Sequence, residues 1–238
     1  MTLPQPTALL FDLDGTLMRH KSEKLIASLE RYDTILHILT KPFQSPGRRM
    51  PHEMDLTVNV QSNPYMHRLI HMVRQARGIG VDDVVEPEAG ALEVLEYAKS
   101  KGLKMGVTSN AYGRLYGHPV LKLYGFERFF NTTVFRENTK RGKPHAEPVL
   151  RSIKSLGLDE GKEQHIWFIG DQAKDIKAVM QASEELPDNW HLYPVAYAAP
   201  NSTAYFYLSR LRDKTITNQN YTRNFAHLLN KLSLRFDG

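Results

Sequence analysis

The 238-residue chain contains no cysteine. This removes disulfide frameworks, thiolate nucleophiles and cysteine-ligated metals together. No apolar run approaches the roughly 20 residues that a membrane-spanning helix needs. The first residues, Met1-Thr2-Leu3-Pro4-Gln5-Pro6, lack the basic start and apolar core of a secretory signal. Internal repeats and low-complexity tracts are missing too. Lysine and arginine form no block, although the formal net charge is +5. Charge spread in this way favours small anionic partners through long-range steering rather than a nucleic-acid groove. What is there, 41% hydrophobic and 24% charged residues, is enough for an ordinary globular core. The expectation is a cytoplasmic enzyme of bacterial type, with no membrane attachment and no nucleic-acid partner. Oligomeric state is not legible.

The most informative segment is Asp12-Leu13-Asp14-Gly15-Thr16, which leaves the apolar run Ala8-Leu9-Leu10-Phe11. Two carboxylates one residue apart at the end of a buried strand are costly unless something neutralises them. A divalent cation would do so, and Gly15 allows the sharp turn that exposes both side chains. The pattern suits metal-assisted phosphoryl transfer, with one carboxylate as nucleophile and the other as acid/base. A calcium-binding EF-hand loop also begins D-x-D, but it needs glycine at its sixth position. Here the glycine comes fourth.

Apolar runs alternate with helix-period segments, which predicts an α/β fold: a doubly wound parallel sheet with helices on both faces. Strands are expected at residues 8–11, 104–108, 132–135, 166–169 and 192–197, the last at an edge because it contains Pro194. Helices are expected at 91–100 with Leu92, Leu95 and Ala98 on one face, at 146–156 with Val149, Leu150 and Ile153, and at 173–182 with Ile176, Val179 and Met180. A closing helix is expected at 221–232. Residues 198–219 show no firm period, and the aromatics Tyr205, Phe206 and Tyr207 read as packing. Residues 18–88 interrupt the alternation as a helical cap between two parts of the core, 1–17 and 89–238. Ser22 starts one cap helix with Leu25, Ile26, Leu29, Tyr32, Leu36 and Leu39 apolar. A second begins near Pro64, with Tyr65, Leu69, Met72, Val73 and Ala76 inward. The Pro- and Arg-containing stretch 41–52 between them reads as a loop. His67, His71 and Arg74 form a basic stripe, and Arg68 stands where a zinc-protease helix has its glutamate. Arg48, Arg49 and His52 are available to close over an anion.

Three further segments bear on the chemistry. Ser109-Asn110 follows the strand at 104–108 with a hydroxyl and an amide able to bind phosphate oxygens. Lys143, between Gly142 and Pro144, can present an ammonium; Pro144 in place of Ser or Thr rules out a Walker A loop. Gly170-Asp171 ends another buried strand, and Asp175 lies one helical turn later. A helix capped by Asp171 would explain that segment equally well.

In this order, the four segments resemble the motifs of the haloacid dehalogenase superfamily, in the phosphatase branch with a helical cap. Asp12-Leu13-Asp14-Gly15-Thr16 is similar to the first motif, Ser109 to the second, Lys143 to the third, and Gly170-Asp171 through Asp175 to the fourth. The resemblance implies Asp12 as nucleophile forming an aspartyl-phosphate, and Asp14 as acid and then base. It implies Mg²⁺ on the Asp12 carboxylate, the Asp14 carbonyl and Asp171, with Asp175 in support. Ser109, Asn110 and Lys143 would bind the phosphoryl group of a small phosphorylated metabolite. Two alternatives stand beside phosphomonoester hydrolysis: a sugar-phosphate phosphomutase, and a non-catalytic protein that binds a phosphorylated ligand or a protein.

Overall fold

Complete burial decides the centre of the fold. Ala8, Leu9, Leu10 and Phe11 are inaccessible to solvent, a pattern that only a strand covered on both faces supports. In the computed structural model, which describes residues 3–21, 72, 76, 78–211 and 220–238, this segment is β1 (Ala8–Phe11). A two-stranded antiparallel ribbon follows, β2 (Met18–His20) with β3 (Val85–Pro87). The rest of the chain supplies α1 (Ala91–Ser100), β4 (Lys104–Thr108), α2 (His118–Leu123), β5 (Thr132–Val134) and α3 (Glu147–Ser155). It closes with β6 (Gln164–Gly170), α4 (Ala173–Ser183), β7 (Trp190–Ala196), α5 (Thr203–Arg210) and α6 (Phe225–Phe236).

The main sheet is parallel throughout, in the order β5-β4-β1-β6-β7. Leu9 and Phe11 face one side, with Trp167, Ile169 and Val107, and meet α1 and α6. Ala8 and Leu10 face the other, with Ile166 and Phe168, and meet α3 and α4. This is the expected doubly wound architecture. β7 lies at an edge, where Pro194 leaves no ladder donor wanting.

Several details depart from the expectation. In α1 the buried set is Ala91, Val94, Leu95 and Ala98, while Leu92 is 38% exposed. The i, i+3, i+4, i+7 stripe runs through Val94 and leaves Leu92 about 100° away from it. Residues 203–210 form α5, unread in the sequence, whose cap Ser202 accepts from the Tyr205 N–H at 3.2 Å. Tyr205 and Tyr207 pack against α4, but Phe206 is exposed beneath the Arg210 guanidinium. The closing helix starts at Phe225; Tyr221 instead bridges to Ala196 beside β7. Met72 and Ala76 are helical as expected, yet exposed rather than inward. They sit one turn apart on a face that the core does not cover. The remaining cap expectations, including Ser22, the 41–52 loop, Arg48, Arg49, His52, His67, His71 and Arg74, lie outside the described residues.

Candidate active site

The sheet order places β1 between β4 and β6, so the ends of these three strands are neighbours. Open α/β sheets bind ligands at such carboxyl ends. The Asp12 N–H donates to the Ile169 carbonyl at 2.9 Å, continuing the β1–β6 pairing into the motif. Gly15 then turns at φ +78°, and a Cβ there would come within 2.4 Å of the Asp171 carboxylate. Glycine is needed twice over: for the left-handed backbone and for room beside Asp171.

Lys143 is the hub. Its ammonium is buried and lies 2.8 Å from Asp12 Oδ1, 2.6 Å from Asp175 Oδ1 and 2.8 Å from the Thr108 carbonyl. The Thr108 carbonyl accepts a hydrogen bond from the ammonium, while Asp12 and Asp175 flank it as ion-pair partners. Lys143 thus places a fixed, buried positive charge beside the carboxylates. Burial works against that charge, but Asp12 and Asp175 overcome it and hold the ammonium well above the ordinary lysine range. Asn110 secures the lysine backbone: its Nδ2 donates to the Lys143 carbonyl and its Oδ1 accepts the Lys143 N–H, both at 2.8 Å. Expected to bind phosphate, Asn110 gives its Oδ1 and one Nδ2 proton to Lys143, which leaves the second Nδ2 proton as its donor for a ligand. Ser109 is buried, and its Oγ accepts the Ala111 N–H at 3.1 Å, leaving the hydroxyl proton to donate.

Ligand oxygens of Asp12, Asp171 and Asp175 lie within 4.8 Å of one another. Asp175 has both oxygens engaged, Oδ1 by Lys143 and Oδ2 by the Gln172 N–H at 3.0 Å. It therefore stands behind Asp12 and Asp171. Gln172, not Asp171, occupies the N-cap of α4, so capping does not account for Asp171. That carboxyl is pushed up to about 7, first by burial and then by Asp12 and Asp175. Three carboxyl groups face one ammonium, so ionising all of them is opposed and Asp171 and Asp175 are held above the usual carboxylate range; a small divalent cation, which hard oxygen donors suit, would relieve that repulsion. The residues fit the implied metal.

Asp14, partly buried, lies outside this cluster of carboxylates. Burial raises its carboxyl above the usual range, a hydrogen bond from the Tyr116 hydroxyl opposes the rise, and Asp12 adds to it. Sequence reasoning missed Tyr116, which lies in a π-helical turn (Gly113–Gly117) 102 positions away. It also missed the role of Thr16, whose Oγ1 donates to Asp171 Oδ1 at 3.3 Å. The second had a signal, since Thr16 closes the first motif; the first had none.

The family model for haloacid dehalogenase-like hydrolases matches residues 9–183. The chain belongs to the haloacid dehalogenase-like hydrolases, and its sequence relatives fall in the phosphatase branch. Pyrophosphatase PpaX of Bacillus velezensis is 29% identical over 189 residues, which span 75% of this chain and 80% of that protein. A HAD-superfamily hydrolase from Ehrlichia chaffeensis shares the fold with a TM-score of 0.59 at 18% identity, covering 99% of this chain and 100% of the other. A HAD phosphatase from Thermococcus onnurineus does so with a TM-score of 0.56 at 17% identity, covering 95% and 97%.

Proposed function

We propose that the chain is a Mg²⁺-dependent phosphatase of small phosphorylated metabolites, working through an aspartyl-phosphate on Asp12. The observation that carries this reading is the buried ammonium of Lys143 between Asp12 and Asp175, beside Asp171. Both hydrogen bonds to Asp12, from Lys143 and from the Leu13 N–H at 2.8 Å, fall on Oδ1. Among the described residues Oδ2 has no partner, so it is the oxygen free to attack phosphorus. As the bond from Oδ2 to phosphorus forms, the bond to the leaving oxygen breaks and that oxygen takes a proton from Asp14. A carboxyl raised by burial keeps this proton at higher pH than an exposed one. Asp14, now a carboxylate, takes a proton from water. The water oxygen attacks phosphorus, the bond to Asp12 breaks, and phosphate leaves. Ser109 donates to a phosphoryl oxygen while Lys143 supplies fixed positive charge nearby, and such charge stabilisation is most of phosphoryl-transfer catalysis. The Asp12 carboxylate, the Asp14 carbonyl and Asp171 would hold Mg²⁺, which would supply further positive charge to the transferring group.

Residues 18–88 form the cap in this reading, between core segments 1–17 and 89–238, with β2 and β3 as its stem. No helix among the described residues is long and apolar enough to cross a membrane; the reading places the enzyme in the cytoplasm. The test is phosphate release from a panel of phosphorylated metabolites and an aryl phosphate, with and without EDTA. Inorganic pyrophosphate belongs on the panel because PpaX relatives are named pyrophosphatases. Hydrolysis that needs Mg²⁺ and is abolished by Asp12→Asn is expected. Unchanged turnover by Asp12→Asn would remove Asp12 as nucleophile, and return of phosphate to a sugar instead of water would make the enzyme a mutase.

A further inference from the structure

The opposite end of the sheet carries a second cluster of ligating side chains, one that phosphoryl transfer does not use. His165 and His191 are register partners on β6 and β7. Their rings stack with centroids 5.3 Å apart and planes 19° from parallel. Glu163, two residues before His165, directs Oε1 at both: 3.3 Å from His191 Nε2 and 3.6 Å from His165 Nε2. One ligand atom from each of the three residues lies within 4.8 Å of the others. His165 is six residues from Asp171 along an extended strand, so the two clusters are about 20 Å apart at 3.3 Å per residue.

We propose that Glu163, His165 and His191 form a binding site for a transition-metal cation of the zinc class, separate from the catalytic carboxylates.

Distance is the first argument. Charge-assisted N–H···O contacts close to about 2.7–2.9 Å. Neither imidazole does so here, although Glu163 is exposed. Tetrahedral zinc with bonds near 2.0–2.1 Å instead sets its ligands about 3.3 Å apart. The Glu163 contacts have that spacing.

Orientation is the second. The Tyr193 hydroxyl lies 3.3 Å from His165 Nδ1, so Nε2 is the nitrogen turned to Glu163. A partner on the far nitrogen is the usual companion of a metal-bound imidazole. Cross-strand register places the His191 ring alongside; because an imidazole lone pair lies in the ring plane, seating one ion on both Nε2 atoms turns one ring about its χ2 out of the 19° stack.

Rigidity is the third. The loop before Glu163 is tied down, with Asn189 Nδ2 donating to the Lys162 carbonyl at 2.9 Å and Gln164 Nε2 donating to the Asp159 carbonyl at 2.9 Å. Two nitrogens and one oxygen select zinc-class ions over Mg²⁺, which prefers oxygen donors. Water completes the fourth position. Because β6 and β7 each supply one imidazole, a bound ion clasps the edge strand to the sheet.

The test is titration of the EDTA-stripped, full-length protein with zinc chloride in excess Mg²⁺, followed by calorimetry. Substitution by Co²⁺ adds visible absorption that is much stronger for four-coordinate than for six-coordinate ions. One equivalent of Zn²⁺ is expected, weakened at least tenfold in His191→Ala and Glu163→Gln, about tenfold in Tyr193→Phe, and unchanged in Asp171→Asn. His191→Gln repeats the test with a bulkier side chain, and unaltered Mg²⁺-supported hydrolysis by either His191 variant shows that it is folded. Equal isotherms for the wild type and both His191 variants would overturn the proposal. Loss of the Zn²⁺ equivalent in Asp171→Asn alone would do so too, because the ion would then sit among the catalytic carboxylates. Neither result touches the phosphatase reading, which is judged by Asp12→Asn.

Discussion

The two ends of the parallel sheet gather charged and ligating groups on opposite terms. At the carboxyl ends, Asp12, Asp175 and Lys143 meet with almost no solvent exposure. At the amino ends, Glu163 is 64% and His191 42% exposed. Burial turns the first group into an interdependent unit, since none of its charges has water to fall back on. The second is a set of separable parts, each at ease when the others are removed. The difference teaches where mutational damage spreads and where it stays local.

The largest effect expected at the buried end is on chemistry. Asp12→Asn should reduce phosphate release on the order of 10⁴-fold or more, as removal of a nucleophile does, measured as initial rates in Mg²⁺. Next comes Lys143→Met, which strands two buried carboxylates. Urea unfolding should show a loss of about 3–5 kcal/mol. Breaking the exposed Arg19–Glu86 pair of the ribbon, 2.8 Å long, with Arg19→Ala should cost about 0.5 kcal/mol or less. Equal losses from the two would erase the contrast. Gly15→Ala should cost about 1–3 kcal/mol for its positive φ and weaken Mg²⁺ binding, because the added methyl meets Asp171; calorimetric titration reports the second effect.

A fourth prediction concerns pH. Asp171, held near 7, keeps a proton in the folded chain that the unfolded chain has already released above the usual carboxylate value. Between about pH 4 and 7 the native state therefore binds more protons, and its metal-free stability falls as pH rises. Melting temperatures in EDTA should show this decline, Asp171→Asn should flatten it, and Mg²⁺ should oppose it at the upper end. The smallest effect is expected from Tyr116→Phe. Losing the hydroxyl removes the main influence holding the Asp14 carboxyl down, so the Asp14 limb of the pH–rate profile should move upward. Turnover should fall about tenfold at most.

The carboxylates of both motifs were readable because each follows an apolar run that full burial requires, Ala8 to Phe11 and Ile166 to Ile169. Pro194 likewise announced the edge strand. The ribbon was not readable: Met18–His20 and Val85–Pro87 have three residues each, too few to show a period of two. α5 was hidden because its aromatics divide between the packed Tyr205 and Tyr207 and the exposed Phe206, which blurs a helical stripe. Leu92 was misread because a single leucine outweighed the smaller Ala91 and Val94 that define the buried face. Lys143 was found by its place in the order of motifs, but its engagement by Thr108 and Asn110 depends on chain crossings that no local pattern records.

The ribbon has a mechanical consequence. Its first strand is rooted in the turn at Gly15: the Gly15 N–H donates to the Met18 carbonyl at 2.8 Å and the Met18 N–H to the Leu13 carbonyl at 2.9 Å. The returning strand is anchored there as well, through the Glu88 N–H to the Leu17 carbonyl at 2.9 Å. Asp14 sits inside that knot, so a torque on the ribbon would reach, through backbone hydrogen bonds, the carboxyl proposed to carry the proton.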